Sequence, residues 1–187
     1  MKTISGAAIC TILLLSAAGS AHANLVTNGG FETGDFTGWT NPANSGIAID
    51  TAFPATGTYD AAFAGTGTLT QSVATTAGTS YTLSFSLLDE SGLNADSFTV
   101  GFGGFTDTIT GDNAASYTTE TFIVPGVDIV GSSTVLSFTG ASTVTAWNLD
   151  DVSVTAAAIP EPATGGLLAA ATLLVFSVAG RIRAPRR

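Results

Sequence analysis

Between Thr3 and Gly180 the chain contains no lysine and no arginine. Its one cysteine, Cys10, and its one histidine, His22, both stand near the start. Lys2, an apolar run from Ala7 to Ala18 and the small-x-small triplet Ala21-His22-Ala23 have the layout of a secretory signal peptide over residues 1–23. Cleavage after Ala23 leaves a chain that begins at Asn24 and has neither cysteine nor histidine. Such a chain has no disulfide framework and no thiol nucleophile. It also has no Ser-His-Asp triad and no His-ligated zinc. Without lysine or arginine, residues 24–158 offer no Schiff base and no basic clamp for phosphate.

Carboxylates are what remain. Of the 14 Asp and Glu residues, all but Glu161 fall between Glu32 and Asp151. A surface of that sign repels nucleic acid and anionic headgroups and attracts cations. Calcium is the natural partner, because hard cations take carboxylate and carbonyl oxygens.

Residues 24–158 have the size of one domain. Their periodicity is two. Tyr81, Leu83, Phe85 and Leu87 share one face of a strand, and Thr82, Ser84 and Ser86 share the other. Leu69 and Val73, Phe98 to Phe102, Tyr117 to Val124, Leu136 with Phe138, and Val152 with Val154 repeat the pattern. Turn residues separate them at Thr76-Ala77-Gly78, Gly111-Asp112-Asn113 and Pro125-Gly126. Eight or nine short strands predict an all-β sandwich of the jelly-roll type.

Two stretches carry more than periodicity. "NLVTNGGFETGDFTGWT", Asn24 to Thr40, combines glycine turns with the apolar anchors Phe31 and Trp39. "WNLDDVSVT", Trp147 to Thr155, sets Asp150 beside Asp151 at the start of a strand. Neighbouring strand residues face opposite sides, so the two serve one pocket only if the strand bulges. These stretches resemble the first and last strands of the galactose-binding-like jelly rolls, which include many carbohydrate-binding modules, and "LTQSVATTAGTSYTLSFSL", Leu69 to Leu87, resembles their middle passage. That resemblance implies a sugar-binding fold. It also implies a structural calcium held by Glu32 and Asp150; Asp50, which no motif aligns, and Asp151 are weaker candidates.

Sugar recognition needs an aromatic platform and a few polar side chains that fix hydroxyl positions. Trp39 is read as core. Tyr59 with the adjacent Asp60, Tyr117 and Trp147 are the candidate ligand residues. Asp89-Glu90 is the conspicuous carboxylate pair for glycoside hydrolysis. Side chains adjacent on a strand diverge, however, and the expectation is a non-catalytic domain.

The C-terminus reads as an address. Pro160-Glu161-Pro162 breaks regular structure, residues 163–179 carry no charge, and Arg181, Arg183, Arg186 and Arg187 follow. At about 1.5 Å per residue the apolar run lies near the lower limit for a membrane helix, with the arginines on the cytoplasmic side. The order of these parts over residues 159–187 resembles the PEP-CTERM sorting signal. It implies a transient stay in the inner membrane, processing by an exosortase-type membrane protease, and release outside the cell or to its surface. The reading is an exported, non-catalytic, carbohydrate-binding protein of the extracellular polysaccharide or biofilm matrix. The alternatives are a matrix or surface protein without specific sugar binding, or one anchored permanently by its C-terminal helix.

Overall fold

The computed structural model describes residues 22–90, 96–111, 116–142 and 147–158. The signal segment up to Ala21, its helix, the C-terminal helix and the sorting residues Pro160, Glu161, Pro162, Arg181 and Arg183 lie outside the described residues. Among the described residues no helix is long and apolar enough to cross a membrane.

Among the described residues nine strands follow one another: β1 (Ile47–Asp50), β2 (Asp60–Phe63), β3 (Thr66–Ala74), β4 (Tyr81–Asp89), β5 (Ser97–Phe102), β6 (Phe105–Thr110), β7 (Thr118–Val124), β8 (Ser133–Ala141) and β9 (Trp147–Ala156). They form a five-stranded sheet in the order β1-β2-β9-β4-β7 and a four-stranded sheet in the order β3-β8-β5-β6. All the pairings are antiparallel. A short 3-10 turn, Gly126–Asp128, follows β7.

The alternation read from the sequence is what joins the two sheets. Leu83, Phe85, Phe98, Phe138 and Leu149 are fully buried between them. Phe85 meets Phe138 edge-on with ring centroids 5.1 Å apart, and Phe63 meets Phe98 in the same way at 5.1 Å. Each such ring contributes roughly 1.5–3 kcal/mol by leaving water. Gly103 makes the tight β5–β6 turn at φ +64°, and a Cβ there would stand 2.3 Å from Asp128 O.

Two local expectations need correction. Residues 24–40 were expected to supply the first strand, yet they run as turns that touch the sheets only at points. Leu25 N–H donates to Val154 O, Val152 N–H donates to Gly29 O, and Thr40 bridges to Thr70. The closely spaced glycines and the positive φ of Asn28 and Phe31 prevent a regular ladder. Trp147, a candidate ligand residue, is 2 % exposed, with its ring centroid 5.6 Å from Phe98. Strand alternation places it on the core face with Leu149, so it offers no platform to a sugar.

Candidate functional site

Register across the five-stranded sheet lines up four polar side chains. Asp50 stands opposite Asp60 on β1 and β2, and Asp150 stands opposite Ser86 on β9 and β4. The pairing of Ala61 with Leu149 carries the row across, setting Asp60 against Asp150. Because Ala61 and Leu149 face the core, this row lies on the outer face of the sheet. Even so, Asp60 and Asp150 have no exposed surface. What covers them is the β1–β2 loop, residues 51–59.

The loop is clasped from three directions. Asp150 Oδ2 accepts the amide N–H groups of Ala55 and Thr56, both at 3.0 Å. Thr56 Oγ1 donates to Asp151 Oδ1 at 2.7 Å. Glu32 Oε1 accepts the amides of Thr58 at 2.9 Å and Tyr59 at 3.0 Å. A break in register between Ser84 and Ser86, with Asp151 at φ +52°, is the bulge that turns both aspartates toward the same loop. Gly30 sits among the three acids. A side chain there would come within 3.6 Å of Asp150 Oδ1, 3.8 Å of Glu32 Cγ and 3.9 Å of Asp151 Oδ1.

Tyr117, just before β7, holds the other end of the loop. Its Oη lies 2.6 Å from Phe53 O and 2.9 Å from Asp60 Oδ2. Beneath it, Asp60 Oδ1 and Asn148 Oδ1 are buried with no hydrogen-bond partner among the described residues, while Asn148 Nδ2 donates to Glu90 at 2.7 Å.

Charge follows from these surroundings. Burial pushes the Asp60 carboxyl up to about 6, against the opposing bond from Tyr117, and Asp50, Asp150 and Glu90 add to the rise. Burial also raises Asp150, although its backbone donors work the other way. The Tyr117 hydroxyl is pushed well above its ordinary value by burial and by Asp60. Glu32, in contrast, is lowered by the amides of Tyr59 and Thr58.

The calcium set implied by the resemblance can be tested against this geometry. Asp150 Oδ2 already takes two amides, its Oδ1 takes the Asp151 amide at 2.7 Å, and Glu32 Oε1 takes two more. Among the described residues no three Asp, Glu, His or Cys are grouped to hold a metal. As arranged, these residues are an amide clasp and do not fit a carboxylate calcium cage.

Of the candidate sugar contacts, the structure brings Asp60 and Tyr117 together and leaves Tyr59 apart from them. The Tyr59 ring packs over the Gly34 turn, where an added Cβ would stand 3.2 Å from its Cζ. Asp60 is buried beneath the loop. Asp89 is buried at the end of β4 while Glu90 is exposed and engaged by Asn148, so that pair does not flank a common cleft. The sequence reading missed Phe53, whose side chain is 48 % exposed on the clasped loop. Its signal was Pro54, which ends the alternation of Ile47 and Ile49 and leaves Phe53 without a strand to pack in.

No protein-family model matches the sequence, and no curated protein matches it. Solved structures do. TmCBM61, solved in complex with β-1,4-galactotriose, superposes with a TM-score of 0.55 at 17 % identity, over 72 % of this chain and 99 % of that one. A family 16 carbohydrate-binding module gives a TM-score of 0.56 at 17 % identity, over 71 % and 99 % of the two chains. The CBM22-1 xylan-binding domain of Paenibacillus barcinonensis Xyn10C gives 0.54 at 19 % identity, over 75 % and 100 %. At such identities the likeness establishes the fold: an all-β, two-sheet sandwich resembling the jelly rolls of carbohydrate-binding modules.

Proposed function

We propose that this is an exported, non-catalytic domain that binds polysaccharide outside the cell, with the β1–β2 loop as its contact surface. The observation that carries the reading is the Phe53 ring, exposed at 48 % on a loop fixed by six hydrogen bonds. A ring held in place before the ligand arrives loses little freedom on binding, and an aromatic face is what a sugar ring stacks on. Tyr117, itself half-buried, supports that ring through the Phe53 carbonyl. The likeness to a module solved with galactotriose and to a xylan-binding domain supports this substrate class. Export by the N-terminal segment and processing by an exosortase-type protease belong to the same proposal, on the strength of the terminal motifs.

Titration calorimetry with β-1,4-galactan, xylan and an acidic exopolysaccharide tests it. Binding of at least one, weakened about tenfold or more in Phe53→Ala with the melting midpoint unchanged, is the expected result. Binding indifferent to Phe53→Ala overturns the site. No binding to any polysaccharide favours the second reading, a matrix protein without specific sugar recognition. The exposed Val127, Val130 and Val135, at 84, 89 and 57 %, are the observation on that side, since they offer an apolar surface away from the loop.

A further inference from the structure

Three oxygens meet at the inner end of the loop: Phe53 O, Tyr117 Oη and Asp60 Oδ2. The phenol stands within hydrogen-bond distance of both others, at 2.6 and 2.9 Å. A phenol has one proton to donate, a backbone carbonyl has none, and an ionised carboxylate is an acceptor only. One proton can serve both acceptors only as a shared, weaker bond; two full hydrogen bonds need a second proton, and Asp60 is the group that can hold it. Asp60 then donates to Tyr117 Oη, and Tyr117 donates to the Phe53 carbonyl.

We propose that Asp60, Tyr117 and the Phe53 carbonyl form a proton-operated latch, closed when Asp60 is neutral and loosened when it ionises. It regulates the loop described above, and its consequence for sugar binding rests on that reading. The latch itself does not.

Burial and the neighbouring carboxylates favour the neutral acid, against the bond from Tyr117. Asp50 faces Asp60 from β1, Asp150 from β9 and Glu90 from the end of β4. Residues 24–158 supply no lysine, arginine or histidine to hold the carboxylate ionised. Among the described residues Asp60 Oδ1 is buried without a partner. That is tolerable for the carbonyl oxygen of a neutral acid and much less so for an anionic oxygen. Raised to about 6, the group titrates in a range that extracellular surroundings cross. On ionisation Tyr117 has two acceptors for one proton, and the carboxylate takes it because charge-assisted bonds are stronger. The Phe53 carbonyl is then released, and with it the anchor of the exposed ring.

Amide hydrogen exchange on the secreted protein, corrected for the intrinsic pH dependence, tests the latch across residues 51–59 with β4 as the internal reference. We expect loop exchange to rise at least tenfold between pH 5 and pH 7.5, with its midpoint at about 6. Asp60→Asn, which keeps a donor toward Tyr117 and cannot ionise, stays protected at both values. Tyr117→Phe is unprotected at both. Equal protection in the wild type at pH 5 and 7.5, or opening of Asp60→Asn in parallel with it, overturns the proposal. Should Asp60→Asn fail to fold, the wild-type Asp60 carboxyl carbon, followed by NMR, decides alone: a titration step in the ordinary aspartate range overturns the latch. Loss of sugar binding with this exchange pattern intact would sink the binding reading and leave the latch standing.

Discussion

Asp151 accepts the hydroxyl of Thr56, 95 residues away in sequence, in a hydrogen bond of 2.7 Å. Beside it Asp150 accepts the amide of the same threonine. Two consecutive strand residues therefore grip one loop residue, which flat strand geometry forbids and the bulge at Asp151 permits. The last of the described strands, β9, thus fixes the loop between the first two, β1 and β2.

Breaking that grip should loosen the loop before it unfolds the sandwich. Asp150→Ala leaves the Ala55 and Thr56 amides without their acceptor, and bonds to a charged group are worth about 1.5–3 kcal/mol each. Water reaches a freed loop, so the net loss of stability should be ~2–3 kcal/mol. Limited proteolysis should cut within residues 52–59 first. Cleavage elsewhere first would show that the aspartate supports the sheet instead of the loop.

Glycine at 57 is required twice over. Its φ is +66°, and a Cβ would come within 2.3 Å of Glu32 Oε1. Gly78 has a similar φ of +78° with nothing within 4 Å. Gly78→Ala should therefore cost only the left-handed strain of about 1–2 kcal/mol. Gly57→Ala adds displacement of Glu32 and should exceed it. Equal losses in denaturant titrations would mean that Glu32 moves aside freely.

The response to pH has two opposing arms. Asp60 is raised from 3.8 to about 6, so the stability it contributes is fully present below the unfolded value and is lost as pH rises through 6. Asp150 is raised as well and acts in the same sense. Glu32 and Asp35 are lowered by their hydrogen-bond donors. Their contribution is present above the ordinary carboxylate values and is lost as pH falls through the lowered folded ones. The melting midpoint should accordingly peak in mildly acidic solution. Asp60→Asn should reduce the fall on the neutral side and leave the acid side as it was. A midpoint rising from pH 5 to 7 would contradict this assignment.

The sandwich was legible in the sequence because one face of each long strand is apolar: Tyr81 to Leu87 and Phe98 to Phe102 display their burial directly in their alternation. The site was legible only in part. Glu32, Asp150 and Asp151 stood out as acids at marked motifs, but nothing local reveals that their partners are the amides of residues 55–59. Main-chain donors carry no sequence signature. Trp147 misled for a related reason, since a tryptophan before an acidic pair looks the same whether its face of the strand turns inward or outward.

Calcium gives the sharpest test of what these carboxylates do. Asp150 and Glu32 direct their oxygens at loop amides, so an ion between them would have to displace those donors. If the amide clasp is the working arrangement, chelator leaves the melting midpoint unchanged, and millimolar calcium acts no differently from magnesium. If the calcium that the resemblance implies does bind, mass action raises stability by ~2.7 kcal/mol at a hundredfold excess over its dissociation constant. In that case Glu32→Ala abolishes the gain. Monovalent salt is the necessary control, because a domain with no basic residue between Asn24 and Ala158 gains from screening alone. Screening works through ionic strength and is indifferent to Glu32, whereas a bound ion acts at low concentration and depends on it. The geometry here favours the first outcome: five amide donors already satisfy the two carboxylates, and an ion would leave those donors unpaired.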